Sequence, residues 1–288
     1  MASKQKKNES SLDKKTQAQR RYIPEEVRKK LREEVAFGCP IKNCGSPYLS
    51  YHHFDPPYHI EKHHRPEGMI ALCLHHHKAA DNGAYKVSQL KNIKKYPYLR
   101  TVKQKPKGRF EWEREQLIVL MGGGGYVSNE VVLQVKGKDL IWISKSEYGY
   151  DNLNLDVYDE QGKPLFVMRD NDWLLHGYFS DLICPPCGNS INLNVGVKDI
   201  KIDLKFYHSL KVEIDAKLRK ISPQLNYQDR NFINEFVKED ELALCKVNLS
   251  LVYPLPLSIN EFEIFNRLHC ERLGSPIIIG AKIALAIH

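Results

Sequence analysis

No apolar run in this 288-residue chain approaches the ~20 residues needed to span a bilayer. The Lys-rich N-terminus lacks the apolar core of a signal segment. The expectation from these two absences is a cytoplasmic protein with no membrane partner. No repeat of solenoid period is present, which excludes a stacked-repeat architecture. The run Gly122–Gly125 lacks the following Lys and Ser/Thr that a phosphate-cradling loop requires, and reads as a flexible connection. An even cysteine set for a disulfide framework is missing too. There are seven cysteines, and three of them stand among histidines. That pattern favours metal ligation in a reducing compartment.

What is present is an ordinary globular composition, 42% hydrophobic and 10% aromatic, with length enough for two domains. Charge is uneven. Residues 1–120 carry 25 Lys+Arg against 13 Asp+Glu, a net +12, whereas the remainder carries 18 against 22, a net −4. A basic half suits a polyanion such as DNA or RNA, although a solvated charged surface has the same composition.

Four segments follow from texture. Residues 1–20 read as a disordered basic tail. Residues 21–95 hold the Cys/His-rich unit. Residues 96–125 begin with the Pro- and Lys-rich stretch 96–109 and read as a linker. Residues 126–288 read as a mainly β domain of unassigned role. In the second segment a helix is expected over 24–37. Pro24 suits its first position, Gly38 its end, and Val27, Leu31 and Val35 form an apolar stripe. Strands are expected at Leu49–Phe54 and Met69–Leu72, then a helix from Cys73 ended by Asn82-Gly83, and another over Ser88–Lys95. In the last segment, Asn152–Tyr158 and Pro164–Met168 flank the turn Asp159–Lys163 as a hairpin. Further strands are expected at Ser190–Val197, Ile200–Tyr207 and Leu210–Ile214, with apolar strands at Leu249–Leu257 and Ile277–Ile287 and a helix at Asn260–His269. Such strands suggest a sheet, sandwich or open barrel. Cys184-Pro-Pro-Cys187 reads as a turn with two free thiols, and Asn171-Asp172-Trp173 as a turn with a buried aromatic.

The chemistry concentrates between Cys39 and His77. Cys39 and Cys44, with four residues between them, fit one knuckle. Cys73 and His76 fit the start of one helix turn. Together they make a tetrahedral Cys3His site for structural Zn2+. That site would set His52 and His53 opposite His77, and imidazoles so placed suit metal-assisted attack on a phosphodiester. Adjacent residues on a strand point to opposite faces, so His52 and His53 have different tasks. Asp81 lies one helix turn beyond His77 and shares its face, within reach of the same cation. His59, His63 and His64 lie in the loop between the strands and read as surface or supporting groups.

The order Cys-x4-Cys, His52-His53, Cys73-x2-His76-His77 on a strand–strand–helix frame resembles the HNH endonucleases of the ββα-metal fold, over roughly residues 37–85. The stretches His52-His53-Phe54-Asp55-Pro56-Pro57 and Pro66-Glu67-Gly68-Met69-Ile70-Ala71-Leu72-Cys73 are similar to bacterial and phage members. The resemblance implies an α+β chain: a small zinc-stabilised ββα-metal domain, then the mainly antiparallel β domain. It implies His53 as general base, His52 as ligand of a catalytic Mg2+ or another divalent cation, and His77 completing that site. It also implies DNA cleavage leaving a 5′-phosphate. Two departures stand out. Gly68-Met69 occupies the place of the family asparagine that orients the base, and His76 stands where cysteine is common.

Arg28, Lys29, Lys30 and Arg32 on the first helix, with Lys94 and Lys95, are the candidate backbone contacts to nucleic acid. The leading expectation is therefore a metal-dependent HNH endonuclease acting on DNA. A non-catalytic zinc module that binds nucleic acid, and a defence or toxin nuclease gated by the β domain, are the alternatives.

Overall fold

The computed structural model describes residues 22–249 except 122–123, 136, 160 and 197–198, together with Ile277–Ile279 and Ala286–Ile287. Backbone contacts divide the chain into two units. The first runs to Gln104 but omits Ser46–Tyr48, which group with the residues from Lys105 onward. Among the described residues both helices and mostly antiparallel sheets occur, so the fold is α+β.

The first unit opens with helix α1, Glu25–Glu34. Pro24 sits just before it with φ −53° and ψ 144°, as the cap and not the first helical residue. Glu25 and Glu26 place negative charge at the positive end of the helix dipole. The apolar stripe is as expected: Leu31 and Val35 are fully buried and Val27 packs on them. The helix nonetheless stops short of Phe37. Ala36 and Phe37 take positive φ, 57° and 59°, and the Phe37 N–H donates to the Arg32 carbonyl at 2.8 Å. Gly38 is needed for a different reason than ending the helix. A Cβ there would lie 2.6 Å from the Gly45 carbonyl oxygen and 2.4 Å from Leu99.

Strands β1, Leu49–His53, and β2, Met69–Cys73, pair antiparallel in a register from Leu49–Cys73 to His53–Met69. Helix α2, Leu74–Asp81, follows directly, then α3, Val87–Lys95, and the single turn α4, Tyr98–Thr101. Every residue of β2 is buried, between β1, α1 and α2. Phe54 and Leu90 close the core. The stretch expected to be a linker is structured. Leu99 is buried, the Tyr98 N–H donates to the Pro40 carbonyl at 3.1 Å, and Lys107–Arg109 form strand β3. Lys103, Lys105 and Lys107 are exposed along it, but Pro97 and Pro106 are buried, so the path is ordered.

The second unit holds two seven-stranded sheets. After β3 come β4, Leu117–Met121, and β5, Gly124–Val127, so the second half of the glycine run is strand. Then come β6, Val131–Val135; β7, Lys138–Lys145; β8, Asp151–Tyr158; β9, Pro164–Arg169; and β10, Asp172–Leu175. They are followed by β11, Asp181–Ile183; β12, Ser190–Gly196; β13, Asp199–Leu210; and β14, Glu241–Leu249. The short strands β15, Ile277–Ile279, and β16, Ala286–Ile287, complete the sheets. One sheet has the order β16-β6-β7-β8-β9-β10-β3 and the other β11-β12-β13-β14-β4-β5-β15. The pairs β14–β4, β15–β5 and β16–β6 are parallel. The β8–β9 hairpin forms where expected, its turn fixed by the Asp159 carboxylate accepting from the N–H groups of Gln161 and Lys163, both at 2.9 Å.

One expected strand is absent. Leu210 ends β13, a 3-10 turn covers Lys211–Glu213, and helix α5 runs Ile214–Ile221. Ile214, Leu218 and Ile221 recur at helical spacing and bury against Ile118, Leu120 and Leu244. Helix α6, Tyr227–Phe236, is capped by the Asn226 side chain accepting from the Asp229 N–H at 2.9 Å. Trp173 is buried after the positive-φ pair Asp170–Asn171. Cys184 is buried and Cys187 exposed, and no disulfide joins them. The tail 1–20, the helix expected at 260–269 and nearly all of 249–257 lie outside the described residues. No described helix is long and apolar enough to cross a membrane.

Candidate metal centres and the histidine groove

Cys39, Cys44, Cys73 and His76 bring one ligand atom each within 4.8 Å of one another. The first two come from a tight knuckle. Cys44 N–H donates to the Ile41 carbonyl at 3.0 Å and Gly45 N–H to the Cys39 carbonyl at 3.1 Å, with Asn43 and Gly45 at positive φ. The other two straddle the β2–α2 junction, where the strand end and the first helical turn aim their side chains at the knuckle. Tetrahedral bonds of zinc length require S···S separations of about 3.8 Å and S···N separations of about 3.5 Å. The Cys44–Cys73 sulfurs are 3.8 Å apart, and His76 Nδ1 lies 3.2 Å from Cys73 Sγ and 3.4 Å from Cys39 Sγ. The residues therefore fit a four-coordinate ion by spacing as well as by type. Without an ion, the Cys39–Cys73 hydrogen bond drives the two thiols apart, Cys73 down and Cys39 up, with burial adding to the rise.

A second cluster lies apart from the first: His52, His77 and Asp81, again within 4.8 Å. His52 Nδ1 is 3.1 Å and His77 Nε2 3.7 Å from the same Asp81 oxygen, and the two rings meet edge to face at 5.1 Å. Ser50 fixes the His77 tautomer. Its hydroxyl donates to the Leu72 carbonyl at 3.0 Å, so the oxygen 2.7 Å from His77 Nδ1 must accept from an Nδ1–H. The lone pair of His77 is thereby left on Nε2, on the Asp81 side, as a metal ligand needs. Burial lowers both pKa values, with the neighbouring imidazole adding to the fall at His52, and this favours the neutral rings that bind cations.

His53, on the other face of β1, is surrounded by Tyr58, His63 and His64, with ring centroids at 4.8, 5.2 and 5.6 Å. Its Nε2 is 3.4 Å from His64 Nδ1. Burial pushes its pKa down to about 4, so the ring is neutral near pH 7 and able to accept a proton. His52, His53, His77 and Asp81 all line one groove of ≈ 960 Å³. His59 and Lys62 stand at the same groove, and Lys62 brings positive charge to it.

The basic residues marked out by sequence behave differently. Arg32 is buried, with its guanidinium on the Tyr51 hydroxyl at 2.8 Å and Glu25 at 2.7 Å. Lys94 donates to the Met69 carbonyl at 2.8 Å, to the Pro66 carbonyl, and to Glu34 at 2.9 Å. Both cations are consumed by the fold. Arg28 is paired with Glu25, Lys29 with Glu33 and Lys30 with Glu67. Lys95 is exposed beside the Tyr96 ring. None of these six lines the groove.

The glycine at position 68 has a steric cause. A Cβ there would meet the Asp55 carbonyl oxygen at 2.0 Å, while the Gly68 carbonyl accepts from Phe54 and Asp55 at 2.9 and 3.2 Å. Sequence reasoning passed over Ser50 and Lys62. Ser50 was findable, since it shares a strand face with His52 two residues on. Lys62 gave no signal, because only the folded loop brings it to the groove.

Comparison of the chain with protein-family models, with curated proteins and with solved structures gives no match.

Proposed function

We propose that the first unit is an HNH-type endonuclease that hydrolyses DNA phosphodiester bonds, with Zn2+ held by Cys39, Cys44, Cys73 and His76 and a catalytic Mg2+ or other divalent cation held by His52, His77 and Asp81. The observation that carries the reading is the convergence of the His52, His77 and Asp81 cluster and a neutral His53 on one open groove. A cation at the second cluster supplies positive charge to offset the charge that builds on phosphate and leaving oxygen. His53, unprotonated at neutral pH, takes the proton of the attacking water. Ser50 keeps the His77 lone pair on the ligand side. Lys62 draws the phosphate backbone to the rim. The Cys3His cluster ties the knuckle to the strand–helix junction that carries His77, and so holds the ligand geometry.

Supercoiled plasmid incubated with the protein and Mg2+, Mn2+ or Ni2+ tests this reading. Nicked circles are expected, and His53→Ala is expected to cut the rate by about 100-fold or more with bound zinc unchanged. DNA binding without cleavage under every metal, equal in the wild type and in His53→Ala, would leave a non-catalytic nucleic-acid module in its place.

A further inference from the structure

The loop between Phe54 and Gly68 carries one residue whose environment is unlike that of its neighbours. His59 and Lys62 are exposed, whereas His63 is buried. Both nitrogens of the His63 ring are used. Nδ1 accepts the Arg65 N–H at 3.1 Å, so Nε2 carries the proton and donates to the Pro56 carbonyl at 2.9 Å. One imidazole thus joins the start of the loop to its end. Gly68 makes room for it, since a Cβ at Gly68 would also lie 2.9 Å from His63 Cε1. The ring packs edge to face on His53 at 5.2 Å.

From these contacts we infer that His63 is a positioning residue for His53: its ring staples the loop shut and, packed edge to face on the His53 ring, fixes the angle at which the base faces the groove. This rests on the endonuclease reading above for what His53 does, but not for how His53 is held. The buried imidazole supplies a donor and an acceptor from inside the loop itself. His64 and Tyr58 stack at 5.8 Å, and both rings also pack on His53.

The test uses the full chain and four variants. His63→Leu removes donor and acceptor. His63→Gln keeps one of each. Arg65→Pro deletes the N–H that His63 accepts together with the side chain, at a residue whose φ of −71° already suits proline, and Arg65→Ala removes the side chain but keeps that N–H, so the two differ by the N–H. Plasmid nicking is expected to fall by about 100-fold in kcat for His63→Leu and Arg65→Pro, with KM and bound zinc unchanged, and to stay near wild type for His63→Gln and Arg65→Ala. Equal kcat across all four would overturn the inference, as would equal loss in all four. Ring resonances of His53, resolved by nitrogen-15 labelling, give a second readout that needs no activity. A single sharp set in wild type and His63→Gln, with averaged or broadened signals in Arg65→Pro, supports the staple; identical spectra sink it. If the wild type cuts no DNA, the endonuclease reading fails and the resonances still decide the role of His63.

Discussion

Ser50 shows how much one hydroxyl can settle. Its proton is committed to the Leu72 carbonyl, and that commitment sets which nitrogen of His77 is free. Ser50→Ala removes the acceptor for the His77 Nδ1–H and frees the ring to turn or change tautomer. The affinity of the second cluster for Mn2+ is expected to drop about 10- to 100-fold, with the zinc content of the Cys cluster intact. Calorimetric titration of Mn2+ into zinc-loaded protein measures it, and an unchanged affinity would deny Ser50 its orienting role. Residues of this kind divide by what made them legible. Cys39, Cys44, Cys73 and His76 could be read because thiols and imidazoles at ligand spacing have few other uses. His52 and His53 could be told apart because a strand alternates. His63 could not, since its partners are the backbone of Pro56 and Arg65, which no side-chain pattern announces. Arg32 and Lys94 misled for the opposite reason. Charge in a sequence does not disclose whether a cation faces solvent or satisfies buried carbonyls and carboxylates.

At the scale of an element, the end of α1 separates two things glycine does. Sequence placed the stop at Gly38, yet the turn out of the helix is made by Ala36 and Phe37 at positive φ. Gly38 provides the close approach of the Gly45 backbone. The two roles give opposite outcomes. Ala36→Gly relieves a left-handed alanine and is expected to raise stability by about 0.5 kcal/mol, the relief of about 1 kcal/mol being partly offset by the freer unfolded chain. Gly38→Ala drives a methyl against the Gly45 carbonyl and is expected to lower stability by about 1–3 kcal/mol. Urea titration of the metal-loaded protein distinguishes them, and a loss of stability in both would mean that Ala36 is not strained. The same scale explains the missed helix α5. Leu210–Ile214 alternates as a strand would, but the spacing of Ile214, Leu218 and Ile221 beyond it belongs to a helix, and burial of that longer stripe prevails. The hairpin at Asp159–Lys163 was legible because its turn carries its own hydrogen bonds within five residues.

The two units reach stability by different means, and this can be tested on the whole chain. The second unit has a core built around Ile118, Leu120, Ile214, Leu218, Ile233, Leu242 and Leu244, drawn from strands and helices far apart in sequence. Neither candidate metal cluster draws a ligand from it among the described residues. The first unit buries fewer apolar residues in all among those described, centred on Leu31, Val35, Leu49 and the five residues of β2. A core of that size is marginal alone, and a bound ion joining the 39–44 knuckle to the 73–76 junction contributes directly to folding. Its loss would also leave the fully buried Cys39 thiol among the other ligand side chains with no ion between them. Stripping the metal with a strong chelator is therefore expected to accelerate amide exchange in β1, β2 and α2 while leaving the paired amides of β7–β8 and β13–β14 protected. Restoring zinc should return the protection, and magnesium should not, because a thiolate-rich tetrahedral site discriminates against a hard, octahedral ion. Protection that survives chelation in β2 would show that the apolar contacts of Leu31, Val35 and Leu90 suffice, and that the cysteines are not what holds the histidines in place.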